Sequence, residues 1–413
     1  MRILSGKVAA AKVRAIAARS ARYEEVTPAV RRIVAGVRRR GDSALLGYAQ
    51  RWDGLRPGMP LCVSSTEIQN AWTTASPELK RSLKTAAANI RRFCEVQKPK
   101  EWKVKREGIS LGQIVRPLDS VGCYVPGGRY PLVSTLLMTV IPAQVAGVER
   151  IVVASPKPHR DVLAAACMLG VEEVYRVGGA QAIAALAYGT ESVSRVDKIV
   201  GPGNLYVTAA KKEVAFDCTI DFLAGPTEVL IVSDKGTPQF IAADLVAQAE
   251  HDPEASAVFI TTRTELATQV VDSVKTQSAD NVIARQAMRK NGFVLISSSQ
   301  EQSFEWANSI ASEHLTIDRG DLSLVRNAGS VFIGDYSPQA GGDYASGPNH
   351  VLPTGGAARF RGGLSVLDFV KLISVQEVSR SGLGKIASAI ETLADAEGLR
   401  AHAASIRVRC ADA

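Results

Sequence analysis

The sequence has few histidines, scattered cysteines and no long apolar run. Five histidines occur among 413 residues, and the six cysteines lack the close spacing typical of zinc ribbons and redox motifs. Most cysteines are therefore expected to be buried, reduced thiols. The longest apolar run, near 136–145, contains Thr139, Pro142 and Gln144. It falls short of the roughly twenty apolar residues that span a bilayer, so we expect no membrane association.

The N-terminus lacks the apolar core of a signal peptide and continues into an amphipathic pattern that contains arginine. We therefore expect a cytoplasmic protein. The formal net charge is +8, but much of the excess lies early in the chain, within helical patterns that also carry apolar faces. No nucleic-acid-binding motif accompanies these basic residues. We interpret them as solvated helix faces, which could also attract an anionic cofactor, and expect no nucleic acid partner.

Hydrophobic periodicity divides the chain into helical and α/β regions. Apolar residues recur near the helical period over 27–48. Between 151 and 200, short β-rich runs alternate with alanine-rich helical runs, and the same rhythm returns between 228 and 333. From 365 the pattern is helical again. This predicts an α/β fold with two doubly wound, Rossmann-like domains, a duplicated pair, together with a helical N-terminal segment and a small helical C-terminal domain.

Four of the five histidines accompany acids or an amide in the second half of the chain. These groups are Gln248 with His251, Glu313 with His314, Asp343 with His350, and Glu397 with His402. Histidine is the commonest metal ligand and readily transfers protons near neutral pH, so the groups together predict one polar site. The fifth, His159, lies in a plain polar segment, which we interpret as a loop.

Each group taken alone has a structural alternative. Gln248 and His251 share one face near a predicted helix end, where they could bind a metal or form a satisfied, partly buried pair. Glu313 and His314 could supply two bases, one for a hydroxyl proton and one for water, or satisfy backbone groups at a helix end.

The other two groups differ in their surroundings. The segment 340–354 is polar and rich in glycine, which favours a functional loop. In it Asp343 is a natural hard ligand, whereas His350 could be a ligand, a partner of a ligand or a support for the loop. Glu397 and His402 lie in a helical region, where an exposed helix face is the alternative. Glutamine, aspartate and two histidines would nevertheless form a plausible zinc site.

Three glycine-rich segments lie near predicted α/β junctions, where doubly wound sheets bind ligands. They are 122–128, 178–181 and 201–204. None is a complete GxGxxG, and tight turns are the alternative for each. Because all three belong to the first α/β region, they favour a nucleotide that is bound in an atypical way.

Several of these segments, in order, resemble the histidinol dehydrogenase family. They are 121–128, 177–186, 197–204, 224–230, 248–251, 312–315, 342–354 and 396–402. The similarity extends from about Pro28 to the C-terminus, and the motif over 343–354 is highly specific. The resemblance implies oxidation of L-histidinol through L-histidinaldehyde to L-histidine, with two NAD reduced, in the last steps of histidine biosynthesis.

The resemblance also implies roles for individual residues. His314 would take the hydroxyl proton in the first oxidation, and Glu313 would activate the water needed for the second. One zinc ion per subunit would be bound by Gln248, His251, Asp343 and His402. Substrate would contact these four residues together with His314, Thr227 and Glu397. NAD would contact Tyr124, Gln181 and Asn204. The family commonly has serine where this chain has Thr227, which keeps the hydroxyl group but adds a methyl group.

The family forms intertwined homodimers, so His402 is expected to serve the active site of the other subunit. The expected organisation has an N-terminal helical arm over 1–20 and a discontinuous first α/β domain over 21–118 and 230–364, with most zinc-site residues. An NAD-binding α/β domain over 119–229 and a helical C-terminal domain over 365–413, exchanged in the dimer, complete it.

Three other functions are alternatives to this expectation. A paralogue could use the same zinc and NAD to oxidise another small alcohol, such as a sulfonated diol, but Glu397 and His402 suit histidinol better. A zinc hydrolase would not need the three glycine-rich segments. An inactive, metal-stabilised binding protein would not need both Glu313 and His314.

Overall fold

The structure, a computed structural model, describes residues 1–19, 23–127 and 131–411. Gly128, which ends the first glycine-rich segment, lies outside the described residues. The chain divides into two compact units, Met1–Gln97 with Asp119–Phe369 and Lys98–Leu118 with Val370–Ala413. Across the described ranges, every helix is too short or too polar to cross a lipid bilayer.

The first unit contains a six-stranded sheet in which every strand pair is parallel. Its strands are β1 (Arg2–Ser5), β9 (Glu228–Val232), β10 (Ser256–Thr261), β11 (Gly292–Ile296), β12 (His314–Ile317) and β13 (Ser330–Ile333). They follow the order β1-β11-β10-β9-β12-β13. Its helices are α1 (Gly6–Ala17), α10 (Pro238–Ala249), α11 (Thr264–Gln277), α12 (Val282–Asn291), α13 (Gln300–Ile310) and α14 (Gln339–Tyr344).

Helices cover both faces of this sheet, which explains why β9 is apolar at nearly every position. Val229 and Ile231 pack with residues of α10, α11 and α12 on one face. Leu230 and Val232 pack with residues of α1 and α13 on the other. Successive side chains of a strand point to opposite faces, so both must be apolar when both faces are buried.

The first unit also contains a five-stranded parallel sheet. Its strands are β4 (Ser120–Tyr124), β5 (Arg150–Ala154), β6 (Glu173–Tyr175), β7 (Lys198–Val200) and β8 (Thr219–Ile220), in the order β6-β5-β4-β7-β8. The connecting helices are α6 (Val133–Ala146), α7 (Arg160–Met168), α8 (Gly179–Tyr188) and α9 (Leu205–Val214). Counted from the first strand of each α/β region, β4 and β9, both sheets therefore have the order 3-2-1-4-5, and β1 extends the larger one.

Four earlier helices pack on the helices of the five-stranded sheet. They are α2 (Thr27–Arg40), α3 (Asp42–Tyr48), α4 (Ser65–Thr74) and α5 (Pro77–Gln97). We expected 21–118 to join the other α/β domain, but α2 and α3 contact α8. The physical reason is that α8 is buried on all sides from Ala180 to Ala187, so a further helical layer must cover it.

The N-terminal segment also differs from the prediction of a helical arm. Residues 2–5 form strand β1, which pairs in parallel with β11, and only then does α1 begin. A run of four residues is too short for its period to separate strand from helix. The edge of the six-stranded sheet offers unpaired backbone groups, and hydrogen bonds with them stabilise residues 2–5 as a strand.

The second unit contains an antiparallel sheet and two helices. Its strands are β2 (Trp102–Arg106), β3 (Ile109–Pro117) and β14 (Val370–Val378), in the order β14-β3-β2. The helices are α15 (Arg380–Ala396) and α16 (Arg400–Cys410), which pack against each other. We predicted only helix after residue 365. The strand β14 arises because β3 offers it a partner along nine residue pairs.

Candidate active site

The acid and imidazole predicted from the sequence lie at the amino end of β12. Glu313 directly precedes this strand, and His314 is its first residue. The neighbouring strand β9 begins with Glu228, and His314 pairs in register with Val229. Glu313 is 7% and His314 3% exposed. The amino edge of the six-stranded sheet therefore holds a buried pair of proton-transfer groups.

His314 lies between a backbone carbonyl group and a carboxylate. Its Nδ1 is 3.3 Å from the carbonyl oxygen of Glu228, and its Nε2 is 3.3 Å from Oδ1 of Asp343. The imidazole also stacks on Phe332, with 5.8 Å between ring centroids. These three contacts fix the orientation of the ring.

Glu313 accepts two hydrogen bonds at the same oxygen. Its Oε2 accepts from the hydroxyl group of Thr227 at 2.6 Å and from the backbone N–H of Glu228 at 2.8 Å. The amide nitrogen of Gln248 contacts the same Thr227 hydroxyl group. Thr227 thus links a proposed zinc ligand, Gln248, to the proposed water-activating acid.

Two carboxylates determine the charge of His314. Burial alone would lower its pKa, but the nearby carboxylates of Glu313 and Asp343 raise the pKa to about 10. Burial would likewise raise the pKa of Asp343, whereas the hydrogen bond with His314 and the nearby histidines hold it below its usual value. The imidazole therefore has a high affinity for a proton, and Asp343 is ionised.

His350, which sequence reasoning left without a role, supports the loop that carries Asp343. Its Nδ1 lies 2.7 Å from the carbonyl oxygen of Asp343, and its Nε2 lies 3.5 Å from the hydroxyl group of Thr135. Burial lowers the pKa of His350, which favours its neutral form. A neutral imidazole with Nδ1 protonated can donate to the Asp343 carbonyl group, so His350 is placed as a support for this loop.

Gln248 and His251 lie at the end of α10, which contacts α14, the helix that contains Asp343. Gln248 is buried in the last turn, whereas His251 is exposed just beyond it. His251 and Glu250 line a cavity of about 530 Å³ together with Tyr344, the neighbour of Asp343. The positive field of His251 also contributes to the lowered pKa of Asp343.

The remaining proposed site residues belong to the second unit. Glu397 follows α15, His402 lies in α16, and both are exposed. Within the described ranges, no three His, Cys, Asp or Glu side chains lie together as a metal site. Of the proposed ligands in the first unit, only His251 and Asp343 are of these types. A complete site of the proposed kind therefore needs the amide of Gln248 and a further histidine.

The three proposed cofactor residues line one cavity of about 540 Å³ at the five-stranded sheet. Tyr124 ends β4, Gln181 lies in the first turn of α8, and Asn204 caps α9. All three follow the carboxyl ends of parallel strands. Since β4 and β7 are adjacent, with crossovers to opposite sides, the cavity opens at the point where the strand order reverses.

Hydrogen bonds to the backbone fix the shape of this cavity. The hydroxyl group of Tyr124 accepts from the N–H of Gly179 at 3.1 Å. Oδ1 of Asn204 accepts from the N–H groups of Tyr206 and Val207 at 3.0 and 3.2 Å. Gly179 has a φ of +61°, a left-handed conformation that favours glycine. The glycine-rich segments thus form turns and also line the cavity.

Cys123 lies beside this cavity in the sequence but is unsuited to nucleophilic chemistry. Its side chain is fully buried in β4, and burial raises the pKa of its thiol to about 12. A thiolate is therefore scarce near neutral pH. Cys123 is an unpaired, buried thiol, as the sequence predicts for most of the cysteines.

Comparison with known proteins decides the family. The model of the histidinol dehydrogenase family matches residues 17–410. The chain belongs to this family. It thereby joins a family of oxidoreductases of amino-acid biosynthesis that act on an alcohol with a redox cofactor, as the sequence motifs predicted.

Individual relatives cover nearly the whole chain. Histidinol dehydrogenase from Methanothermobacter thermautotrophicus is 46% identical over 405 residues, which cover 94% of each chain. The enzyme from Haloarcula marismortui is 48% identical over 404 residues and 95% of each chain. The solved structure of histidinol dehydrogenase from Elizabethkingia anophelis matches with a TM-score of 0.95 at 35% identity, covering 100% of this chain and 98% of that one.

Sequence reasoning missed two residues that organise these family sites. Glu228 offers its backbone N–H to Glu313 and its carbonyl group to His314. Asp53 accepts from the N–H of Gly178 at 3.0 Å and from the amide of Gln181 at 2.9 Å. Glu228 makes these contacts through its backbone, so its residue type does not indicate them. Asp53 ends a π-helical turn, Ala49–Asp53, far along the chain from its partners.

Proposed function

We propose that this chain oxidises L-histidinol through L-histidinaldehyde to L-histidine, with reduction of two NAD. The observation that carries this proposal is the arrangement of His314 between Glu313 and Asp343 in a chain whose residues 17–410 match the family model. Two successive oxidations at one carbon require a base that takes the hydroxyl proton and a carboxylate that activates water, and His314 and Glu313 can supply these two groups.

In the proposed first oxidation, the neutral form of His314 takes the proton of the substrate hydroxyl group, and NAD, when bound, would accept the hydride from the same carbon. A zinc ion bound at Asp343 would take up part of the carboxylate charge and so lower the His314 pKa from about 10, which favours this neutral form. The contacts of Nδ1 with Glu228 and of Nε2 with Asp343 orient the imidazole for this transfer. In the second oxidation, Glu313 activates the water that hydrates the aldehyde. Its bond from Thr227 keeps the reacting carboxylate in a fixed position.

The donor atoms present suit a zinc ion, which we propose is bound by Gln248, His251, Asp343 and His402. They offer an amide oxygen, a carboxylate and two imidazoles, all ligands that zinc accepts. When bound, the ion would hold the amino and imidazole nitrogens of the substrate and take up part of the Asp343 charge. Thr227 and Glu397 would complete the substrate contacts. Metal analysis should find one zinc per subunit, and His251→Ala should lower that content.

We propose NAD as the redox cofactor, held in the 540 Å³ cavity. Tyr124, Gln181 and Asn204 would contact it, as the family resemblance implies. The position of this cavity at a strand-order reversal supports a dinucleotide, because doubly wound sheets bind such ligands there.

We propose that the chain acts as a homodimer in which the C-terminal helices are exchanged. The second unit exposes apolar side chains that water would otherwise surround, among them Trp102, Leu372, Ile373 and Leu393. Such a surface favours a protein partner. A duplication of the α/β region is part of the same proposal, supported by the common strand order of the two parallel sheets.

The direct test of function is NADH formation with L-histidinol. We expect two NADH for each histidine produced, because both oxidations transfer a hydride. NADH formation from another small alcohol, but not from histidinol, would instead favour a paralogue that oxidises that alcohol. Hydrolysis of an ester or amide without NADH would favour a zinc hydrolase.

The test of the shared site uses two inactive variants, His402→Ala and Glu313→Ala. Mixed dimers should regain part of the activity, since one of their two sites would contain neither substitution. Mixed dimers isolated with two different affinity tags provide the measurement. If such dimers stayed inactive although each parent bound zinc and folded, each subunit would supply its own histidine.

A further inference from the structure

The cavity at the five-stranded sheet contains a lysine that no family motif predicted. Lys157 lies in the loop that follows β5, three residues beyond Ala154. It lines the cavity with Tyr124, Gln181 and Asn204. Among the described residues it is the sole basic side chain that lines this cavity. In the described part of the wall, Lys157 therefore supplies the positive charge.

The backbone at Lys157 adopts a conformation that lysine rarely has. Its φ is +49°, one of three positive φ values at non-glycine residues in the described ranges. Pro156 and Pro158 flank it, and each proline fixes its own φ near −65°. A left-handed lysine between two prolines is held by the loop, and such conformations concentrate at ligand-binding sites.

Gly54 provides space for the stem of Lys157. A Cβ atom added at Gly54 would lie 3.0 Å from Nζ of Lys157 and still closer to Cε. Gly54 also has a left-handed φ of +67°. The lysine side chain thus lies over a residue without a side chain, which leaves its ammonium group at the cavity wall.

The acid nearest to this lysine has other partners. Asp53 directs one carboxylate oxygen to the N–H of Gly178 and to the amide of Gln181. Burial raises the pKa of Asp53 and the nearby charge of Lys157 opposes this rise, but the acids in the described part of the chain form no direct ion pair with Lys157. Asp161, the next acid after Lys157, contacts Arg160 and His159. The Lys157 ammonium group is therefore open to an anionic ligand.

The topology indicates that the anionic ligand of Lys157 is a phosphate group of a dinucleotide. β5 is the second strand of its α/β region, and in doubly wound folds an acid near the end of that strand binds the ribose hydroxyl groups of NAD. A basic residue near this point instead accommodates the phosphate of NADP. In this chain the loop 155–158 reads Ser-Pro-Lys-Pro, which contains a cation and no acid.

We propose that Lys157 binds a phosphate group of the dinucleotide and thereby sets the affinity for this cofactor. The inference rests on the proposed dinucleotide function of the cavity. The phosphate is either the pyrophosphate, common to NAD and NADP, or the 2′-phosphate, which NADP alone carries. In both cases Lys157 contributes to binding and takes no part in hydride transfer.

The test compares Lys157→Asn with Lys157→Arg. Asparagine removes the charge and tolerates a left-handed φ, so loss of binding cannot be attributed to backbone strain. Arginine keeps the charge. Arg160→Asn is the matched control, because it removes a nearby exposed charge that does not line the cavity. KM and kcat are measured with NAD and with NADP at low and high salt, and binding of NADH and NADPH is followed by fluorescence without histidinol.

We expect Lys157→Asn to raise KM and Kd about three- to fivefold, as loss of a partly exposed ion pair would, with kcat changed less than twofold. Lys157→Arg should stay near the wild type, and the salt dependence should weaken in the asparagine variant. Equal effects on both cofactors would identify the pyrophosphate. An effect on the phosphorylated cofactors alone would identify the 2′-phosphate.

Unchanged KM and Kd in Lys157→Asn, or equal changes in Arg160→Asn, would overturn the inference. A loss confined to kcat would also overturn it. If the wild type binds dinucleotide but forms no NADH from histidinol, the proposed reaction fails and the Kd values still decide the role of Lys157. A wild type that binds neither NADH nor NADPH would overturn both proposals.

Discussion

The two parallel sheets of the first unit share a strand order but use opposite edges. The five-stranded sheet forms its cavity at the carboxyl ends of its strands, beside Tyr124 and Asn204. The six-stranded sheet carries Glu313 and His314 at the amino ends of its strands. The general rule for doubly wound sheets places ligands at the carboxyl edge. Of the two proposed sites, the one at the five-stranded sheet follows this rule and the other does not.

The two edges also differ in charge. Around the cavity, Tyr124, Asn204 and the carboxylate of Asp53 accept hydrogen bonds from neutral groups, and the charged Lys157 lines the wall. At the other edge, two carboxylates flank one imidazole. Groups held in place by hydrogen bonds with neutral partners are suited to binding a ligand, whereas a buried group of interacting charges is suited to proton transfer. Substitutions should therefore change KM at one edge and kcat at the other.

The largest effect is expected from His314→Asn. Asparagine retains a polar side chain but cannot accept the hydroxyl proton, so kcat should fall by about 10²- to 10⁴-fold. KM for NAD should change little, because the cavity is at the other sheet. Steady-state NADH formation measures both. His159→Asn is the control, since His159 is a half-exposed residue before α7. A His314 variant with near-normal kcat would contradict the division between the edges.

The next effect is expected from Arg19→Met. Arg19 pairs with the buried side chain of Glu228, whose backbone contacts both Glu313 and His314. Removing one partner of a buried pair leaves an uncompensated charge and costs about 3 kcal/mol of unfolding free energy. We also expect a lower kcat. Urea unfolding and NADH formation provide the readouts, with Arg14→Met, an exposed position on α1, as control.

Equal unfolding free energies of the Arg19 and Arg14 variants would contradict the proposed anchoring of Glu228. A stability loss with unchanged kcat would show that the catalytic pair keeps its geometry without this ion pair. Either result would separate the stability of the amino edge from its chemistry.

A smaller effect is expected at the other edge from Asp53→Ala. This change leaves the buried N–H of Gly178 without its acceptor, at a cost of about 1–3 kcal/mol, and frees the side chain of Gln181. KM for NAD should rise several-fold while kcat stays within about threefold. Asp53→Asn keeps one acceptor oxygen and should be milder. A loss of kcat without a change in KM would contradict the expectation that substitutions at this edge change KM.

The smallest effect is expected from Asp244→Asn, because burial disfavours the charged form of the Asp244 carboxylate. Asp244 lies in α10, and burial raises its pKa from 3.8 to about 6. Near pH 4 the carboxyl group is protonated in the folded protein and about half protonated in the unfolded chain. As pH rises from about 4 to 6, the unfolded chain ionises first, so the folded state loses stability, and this loss levels off above pH 6. Asp244→Asn should therefore stabilise the protein at pH 8 by roughly 1–2 kcal/mol, allowing for partial solvent screening.

This gain should shrink as the pH falls from 8 to 5. Urea unfolding at both pH values measures it, and Asp272→Asn, exposed on α11, is the control. An equal gain at both pH values would mean that the substitution acts through something other than ionisation.

Much of the α/β region could be predicted because its strands are buried on both faces. The alternation predicted between 228 and 333 begins with β9 and ends with β13 in the structure, since continuous apolar runs between turn residues identify buried parallel strands. The strands β1 and β14 lie in segments that were predicted to be helical. These strands are short or partly exposed, and their pairing partners lie far along the chain.

The candidate site was predicted because its side chains are rare in this sequence. Histidine beside acids stands out when only five histidines are present, and the ordered motifs then indicated the family. The roles of Asp53 and Glu228 could not be predicted in this way. Acidic residues are common, and the two act through contacts with distant backbone groups.

By itself, the sequence determined the family, the alternation of strands and helices and the choice of Glu313 and His314. These depend on local pattern and on residue types that few other sites require. Only the tertiary structure decided at which edge of each sheet the proposed site residues lie, which partners fix His314, and that Lys157 lines the cavity of the five-stranded sheet. Strand pairing and burial bring together residues that are distant along the chain, and charge and pKa depend on those neighbours.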